Sequence, residues 1–153
     1  ENIRNESLRN YWVNVNPVTE IESTQLVDIL RSRLPDPPSW LTECSGATVG
    51  AAAVNSSIFK LCCDVLSDIY GISVTSFTQD EASVALRSCF NRSNDDLMKY
   101  ASFQYVGSVN AIVIKLSLLV AVMQHTGIQR VHTFPCVGSC PGVISDEQFW
   151  NKS

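Results

Sequence analysis

The sequence is poor in charge and has no stretch of clustered basic residues. Charged residues make up 17% of the 153 residues, the net charge is −4, and the eleven basic residues are scattered. Because no basic stripe is present to neutralise phosphates, we expect neither a nucleic acid nor an anionic membrane surface as a partner. With 45% apolar residues, the chain is long enough to fold as one domain, 1–153, around a single core.

Recognisable catalytic motifs are also absent. Only two histidines occur, and neither a G-x-S-x-G nor an H-E-x-x-H pattern is present. Asp64 and Asp68 share a helix face but have no partner signature, which is typical of a solvated surface. We therefore expect no enzymatic activity and no cofactor.

One set of residues invites a metal-site interpretation. His132, Cys136 and Cys140 are four residues apart, with His125 nearby, and such side chains can ligate zinc. However, Pro135 breaks the helix that would align them, and Cys-x₃-Cys is not the usual tight zinc knuckle. In an oxidising compartment the thiols would also be consumed, so we expect no metal.

Long apolar runs are missing with one exception, the segment Val109–Met123. At 100° per residue, Asn110, Ser117 and Gln124 fall on one narrow line of a helix, and apolar side chains fill nearly all the rest. Such a helix is usually buried or membrane-spanning. This run is shorter than the ~20 apolar residues that a span needs and contains a lysine, so we expect a buried central helix and no membrane span.

Two alternatives stay open for this segment. Ile112–Leu118 also alternates and is rich in β-branched residues, as in a strand, although Gly127 stands where a helix C-cap is wanted. Lys115 lies opposite the polar line. It could reach the surface, pair with an acidic residue, or meet a ligand. The line itself could face solvent or a pocket, so Lys115, Asn110, Ser117 and Gln124 are the candidate contacts with a ligand or partner.

The cysteine count and the glycosylation signals agree on a compartment. Six cysteines allow three disulfides, and four N-x-S/T sequons occur, more than chance would give. Together they favour an extracellular protein. The chain starts at Glu1 without a signal-like stretch, so we expect a processed mature chain or an excised ectodomain. The sequon asparagines are Asn5, Asn55, Asn91 and Asn151, and the cysteines are Cys44, Cys62, Cys63, Cys89, Cys136 and Cys140.

The disulfide connectivity is only a hypothesis. Adjacent Cys62 and Cys63 point about 100° apart on a helix, so they should bond to different partners. We expect one of them to pair with Cys89 and the other with the C-terminal loop. Cys44 would take the remaining cysteine of that loop, and each bridge would contribute about 2–4 kcal/mol.

The remaining patterns predict a mainly α fold, a disulfide-stapled bundle of about five helices around the central helix. T-x-x-E capping boxes at Thr19 and Thr78 predict two helix starts, and a third helix should run from about Ser56 to Gly71. Small residues at 46–55 suggest another helix start. Short extended connections, including Ile72–Phe77 and Val131–Phe134, should join the helices, with a polar N-terminal arm over 1–18 and a disulfide-tethered tail over 128–153.

Two functions fit these expectations. The first is a secreted or ectodomain recognition module that binds another protein without catalysis, an analogy at the level of fold class. The second is an extracellular carrier of a small apolar or lipid-like ligand, held in a pocket within the helical shell. The cysteine spacing departs from that of insect odorant carriers, which have three residues between the second and third cysteines, whereas here the two are adjacent. It also departs from saposin-like spacing.

Overall fold

A computed structural model describes residues 16–43, 48–52, 57–98, 100 and 109–134. Within them the fold is mainly helical, as predicted, with a small sheet. A short 3₁₀ turn, Val109–Ala111, leads into the central helix. The elements are α1 (Glu20–Arg33), α2 (Ser39–Thr42), β1 (Thr48–Ala52), α3 (Ile58–Tyr70), β2 (Ser76–Thr78), α4 (Gln79–Ser88), α5 (Asn94–Leu97), α6 (Ile112–Thr126) and β3 (Arg130–Phe134).

The predicted helix starts are confirmed by capping geometry. The Glu22 carboxylate accepts from the Thr19 N–H at 2.8 Å, while the Thr19 hydroxyl accepts from the Glu22 N–H at 3.3 Å. The same reciprocal box holds Thr78 and Glu81 at the start of α4. Each box satisfies N–H groups that the first helical turn leaves without partners.

The helix ends also follow the sequence signals. α1 ends at Arg33, just before Pro35, as a proline-rich stop requires. Gly71 and Gly127 follow α3 and α6 with φ of 69° and 73°, a left-handed conformation that glycine adopts without a steric penalty.

Helix α6 is the buried centre of the fold, as predicted. Eight of its residues are buried, and the helix packs against α1, α3 and α4. Val113, Leu116 and Met123 are at most 1% exposed. A helix apolar on nearly every side needs such cover on several sides, and here three helices supply it.

The same segment has the length of a membrane span. By length and composition alone, Val109–Thr126 could cross a bilayer, although half of it is buried inside the protein. The core helix of a soluble protein meets the same criterion. The absence of a membrane span therefore stays a prediction.

The three strands form one sheet in the order β1-β3-β2. β3 pairs parallel with β1 and antiparallel with β2, so the predicted β-like piece at Val131–Phe134 is the sheet's central strand. The helix start predicted within 46–55 is wrong, because Thr48–Ala52 is a strand. The pairing explains the small residues: a Cβ on Gly50 would lie 3.0 Å from the Phe134 ring.

The disulfide staple is not found among the described cysteines. Cys62 and Cys63 are free thiols, and no disulfide joins either of them to Cys89. All three are buried in the apolar core, where a thiol packs as a small hydrophobic group. The predicted pairing of Cys62 or Cys63 with Cys89 is therefore wrong.

Several predictions fall on residues outside the described ranges. These include Cys44, Cys136 and Cys140, the sequons at Asn5, Asn55 and Asn151, and most of the predicted N-terminal arm and C-terminal tail. The other disulfides, the tethered tail and the single domain over 1–153 stay predictions.

Two leucines of α6 offer a matched test of its role as the core. Leu116 is fully buried, whereas Leu118 is 39% exposed. Leu116→Ala should lower the free energy of unfolding by about 2–5 kcal/mol, because it removes buried methyl groups and leaves a cavity. Leu118→Ala should change it by no more than about 1 kcal/mol. Chemical denaturation of both variants measures this, and equal losses would contradict the burial of one face only.

The state of the core thiols can be tested by alkylation. Burial raises the pKa of Cys62, and the nearby Cys63, Cys89 and Glu81 raise it further; burial also raises the pKa of Cys63. An ordinary thiol with a pKa of 9.0 is half ionised at pH 9, and only the thiolate reacts. At pH 9 without reductant, iodoacetamide should leave both residues unmodified in the native protein and alkylate both in guanidinium chloride. Mass spectrometric peptide mapping distinguishes this from a disulfide, which would block alkylation in both states.

Candidate binding groove and the outer face of the central helix

The three polar residues predicted on one line of α6 have three different roles. At the start of the helix, the Asn110 amide oxygen accepts from Asn94 Nδ2 at 2.7 Å. The Asn94 amide oxygen in turn accepts from Asn16 Nδ2 at 2.7 Å, and that nitrogen also donates to the Val109 carbonyl at 3.2 Å. Asn110 thus belongs to a chain of amides that connects the segment before α1 to α5 and the central helix.

Ser117 lies at the interface between α6 and α1. It is fully buried, and its hydroxyl donates to the Val113 carbonyl at 2.8 Å. The Ser23 hydroxyl of α1 lies 3.0 Å from Ser117 Oγ and donates to it, because the Ser117 hydrogen is already used. The polar line therefore faces a partner helix here, rather than solvent or a ligand.

Gln124, the third residue of the line, borders a groove between α1, α4 and α6. The groove has a volume of about 280 Å³. Its apolar floor comes from all three helices and from the turn after α4: Val27, Leu86, Phe90 and Val120. Val27, Leu86 and Val120 are at most 8% exposed, so the floor is continuous with the core.

Charged side chains stand along this groove on two of its helices. Glu20 and Asp28 come from α1, and Arg87 comes from α4. Asp28 and Arg87 are exposed, and the ion pair between Lys60 and Asp64 lies elsewhere, on α3. The groove therefore offers both signs of charge above an apolar floor.

Lys115 lies on a side of α6 that the other described helices do not fully cover. It is half-buried and projects away from Ser117, as the helical spacing predicts. On the same side, Ile114 is 41% exposed and Leu118 is 39% exposed. We call Ile114, Lys115 and Leu118 the outer face of α6.

The polar line of Asn110, Ser117 and Gln124 does not mark the exposed face of α6. A narrow polar line suggests the solvent side of a helix, yet its middle residue, Ser117, is buried against α1. Lys115 was the better signal, because a lysine stem can cover apolar surface while its charge reaches water. Leu118, one turn after Lys115, is exposed, whereas Ile112 and Leu119, also one turn away, are buried. Lys115 therefore lies at the edge of the exposed face.

A second cavity lies between α3, the following loop and β3. It has a volume of about 230 Å³ and contains the Lys60–Asp64 ion pair and the Cys63 thiol. Cys63 Sγ lies 3.7 Å from the Thr133 hydroxyl, which lowers the thiol pKa, but burial outweighs this and leaves the pKa raised. An activated nucleophile needs the opposite shift.

The residues considered for zinc lie in separate places. His125 Nε2 is 2.9 Å from the Pro35 carbonyl oxygen and so carries the hydrogen of that bond. His132 lies exposed on β3, whereas Cys136 and Cys140 lie outside the described residues. In the part that is described, no three His, Cys, Asp or Glu side chains come together to hold a metal. The expectation of no metal stays a prediction.

Comparison with known proteins gives no relative from which a function could be inferred. No protein family model matches the sequence. No curated protein matches it. The functional argument therefore rests on the residues and geometry of this chain.

Proposed function

We propose that the protein is a non-catalytic extracellular recognition module that binds another protein through the outer face of α6. The observation that supports this is the exposure of Ile114 and Leu118 on the most apolar helix of the fold. Solvent-exposed apolar side chains grouped on one helix face are typical of a surface that another protein covers.

The spacing of these residues indicates the kind of partner. Ile114 and Leu118 are four residues apart and therefore lie one above the other on the helix. Such a ridge fits the groove beside an apolar stripe on a partner helix, as in other helix-mediated recognition.

The non-catalytic part of the proposal rests on the absence of catalytic motifs in the sequence and on the state of the thiols. Cys62 and Cys63 have raised pKa values caused mainly by burial. Protonated, buried thiols are inert as nucleophiles. Neither cysteine therefore supports a hydrolase or transferase interpretation.

The extracellular part of the proposal now rests mainly on the sequons. Free thiols at Cys62 and Cys63 weaken the argument from cysteine count. Asn91 is well placed for a glycan: its side chain is exposed, and its backbone turns with φ of 56°. Only its backbone N–H is engaged, donating to the Val18 carbonyl at 2.9 Å.

The alternative, a carrier of an apolar or lipid-like ligand, has weaker support. Such a ligand needs a cavity that removes most of its surface from water. The groove at Gln124 is bordered by charged residues, and the second cavity contains an ion pair. Native mass spectrometry of the secreted protein tests the alternative, because a retained lipid-sized adduct would favour it.

Glycosylation provides a direct test of the compartment. When the chain is expressed through the secretory pathway of a eukaryotic cell, enzymatic removal of N-glycans should lower its mass. Asn91→Gln should remove one glycan from the intact protein, whereas Asn2→Gln, which lies outside any sequon, should leave the mass of the glycans unchanged. Intact mass spectrometry measures both, and a wild-type mass unaffected by deglycosylation would contradict the extracellular assignment.

Protein binding through the outer face can be tested with a matched pair of variants. Leu118→Asp places a charge on the ridge and should reduce partner capture about tenfold or more, as expected when a buried interface residue is lost. Ile72→Asp is the control, since Ile72 is 66% exposed in the loop after α3. Quantitative pull-down from a cell-surface protein preparation measures both.

Two results would contradict the proposal. One is that wild-type protein and Leu118→Asp capture the same partners in equal amounts. The other is that the wild-type protein enriches no partner. Circular dichroism should first show that both variants are folded, which exposed positions allow.

A further inference from the structure

We propose that the groove between α1, α4 and α6 binds a small zwitterion with an apolar body, of the kind represented by a free apolar amino acid. This site is distinct from the outer face of α6, and the inference does not depend on protein binding there. It follows from three properties of the groove: its apolar floor, its two signs of charge and the Gln124 amide, which has no hydrogen-bond partner among the described residues.

The floor favours an apolar body of modest size. Val27, Leu86, Phe90 and Val120 line it, and these side chains provide a continuous apolar surface with one aromatic ring. The volume of about 280 Å³ is just below the range of about 300–1,000 Å³ that is typical of small-molecule sites. It suits a single amino-acid side chain better than a lipid chain.

The charges favour a ligand that carries both signs. Glu20 and Asp28 lie two turns apart along α1, and Arg87 lies on α4. A carboxylate on the ligand matches the guanidinium, which can bind it through two parallel hydrogen bonds. An ammonium group matches the acidic side. A ligand with only one sign of charge would be repelled by the groove residues that carry the same sign.

The helix dipole favours the charges of Glu20 and Arg87 at their positions, but it does not act in this way on Asp28. Glu20 lies in the first turn of α1 and Arg87 in the last turn of α4, where the helix dipole favours those charges. Asp28 lies in the middle of α1 and has no such role. Its exposed carboxylate borders the groove, where it can accept a hydrogen bond from a cationic group of a ligand.

Gln124 supplies the third observation. Its side chain is half-buried at the groove, and among the described residues it makes no hydrogen bond. The neighbouring hydroxyls are already used: Ser23 bonds to Ser117, and Thr24 donates to the Glu20 carbonyl at 2.9 Å. The Gln124 amide can both donate and accept, so it can orient a ligand head group at the groove.

Calorimetric titration of the full chain with L-phenylalanine and L-leucine tests the proposal. Saturable binding of at least one of them is expected. N-acetyl-phenylalanine lacks the ammonium group, and phenylalaninamide lacks the carboxylate. Each should bind about tenfold or more weakly, because each loses a charge-assisted hydrogen bond.

Variants locate the binding in the groove. Arg87→Gln should weaken L-phenylalanine about tenfold or more while leaving the affinity for phenylalaninamide unchanged, because that ligand has no carboxylate to lose. Asp28→Asn should also weaken the binding of L-phenylalanine about tenfold or more. It should leave the affinity for N-acetyl-phenylalanine unchanged, because that ligand has no ammonium group to lose. Arg31→Gln, an exposed residue of α1 outside the groove, is the control and should change nothing.

Absence of saturable binding by both amino acids would overturn the inference. So would equal affinities for the zwitterion and its two derivatives, or an equal effect of Arg31→Gln and Arg87→Gln. Leu118→Asp should leave amino-acid binding intact, so failure of this site and failure of the proposed protein binding give different results.

Discussion

The apolar character of α6 on nearly all sides is the constraint on which the rest of the structure depends. A helix of this kind is stable in a globular domain only when neighbouring helices remove most of it from water. α1, α3 and α4 do so. Their ends and caps therefore matter chiefly because they set where these three helices lie against α6.

The Ser23–Ser117 contact shows how one polar pair fits into that cover. Two small hydroxyl side chains let α1 approach α6 closely, and each is satisfied in the core. A buried hydroxyl without a partner would be costly. The groove opens farther along the same interface, at Gln124, where a larger polar side chain replaces serine on the line.

Features determined by neighbouring residues could be predicted from the sequence, and features that depend on distant residues could not. The capping boxes at Thr19 and Thr78 and the glycine ends at Gly71 and Gly127 involve residues within one helical turn. The strand β1 was missed because its pairing partner, β3, lies at the other end of the described chain. Helical spacing placed Ser117 and Lys115 on opposite sides of α6, but it could not reveal which side α1 covers. The groove combines residues from three separate helices, so no local pattern indicates it. The cysteine count likewise said nothing about which thiols lie close enough to bond.

The central position of β3 in the sheet has a consequence for folding. β3 is the last described element of the chain, and among the described strands both β1 and β2 pair only with it. During synthesis on the ribosome, the helices can therefore form and associate while Thr48–Ala52 and Ser76–Thr78 still lack their shared neighbour. Contacts between residues so distant in sequence close slowly, because the loop entropy is lost before they form. The sheet should accordingly be the last part of the domain to form, and a nascent chain that stops before Arg130 should consist of helices with two unpaired strand segments.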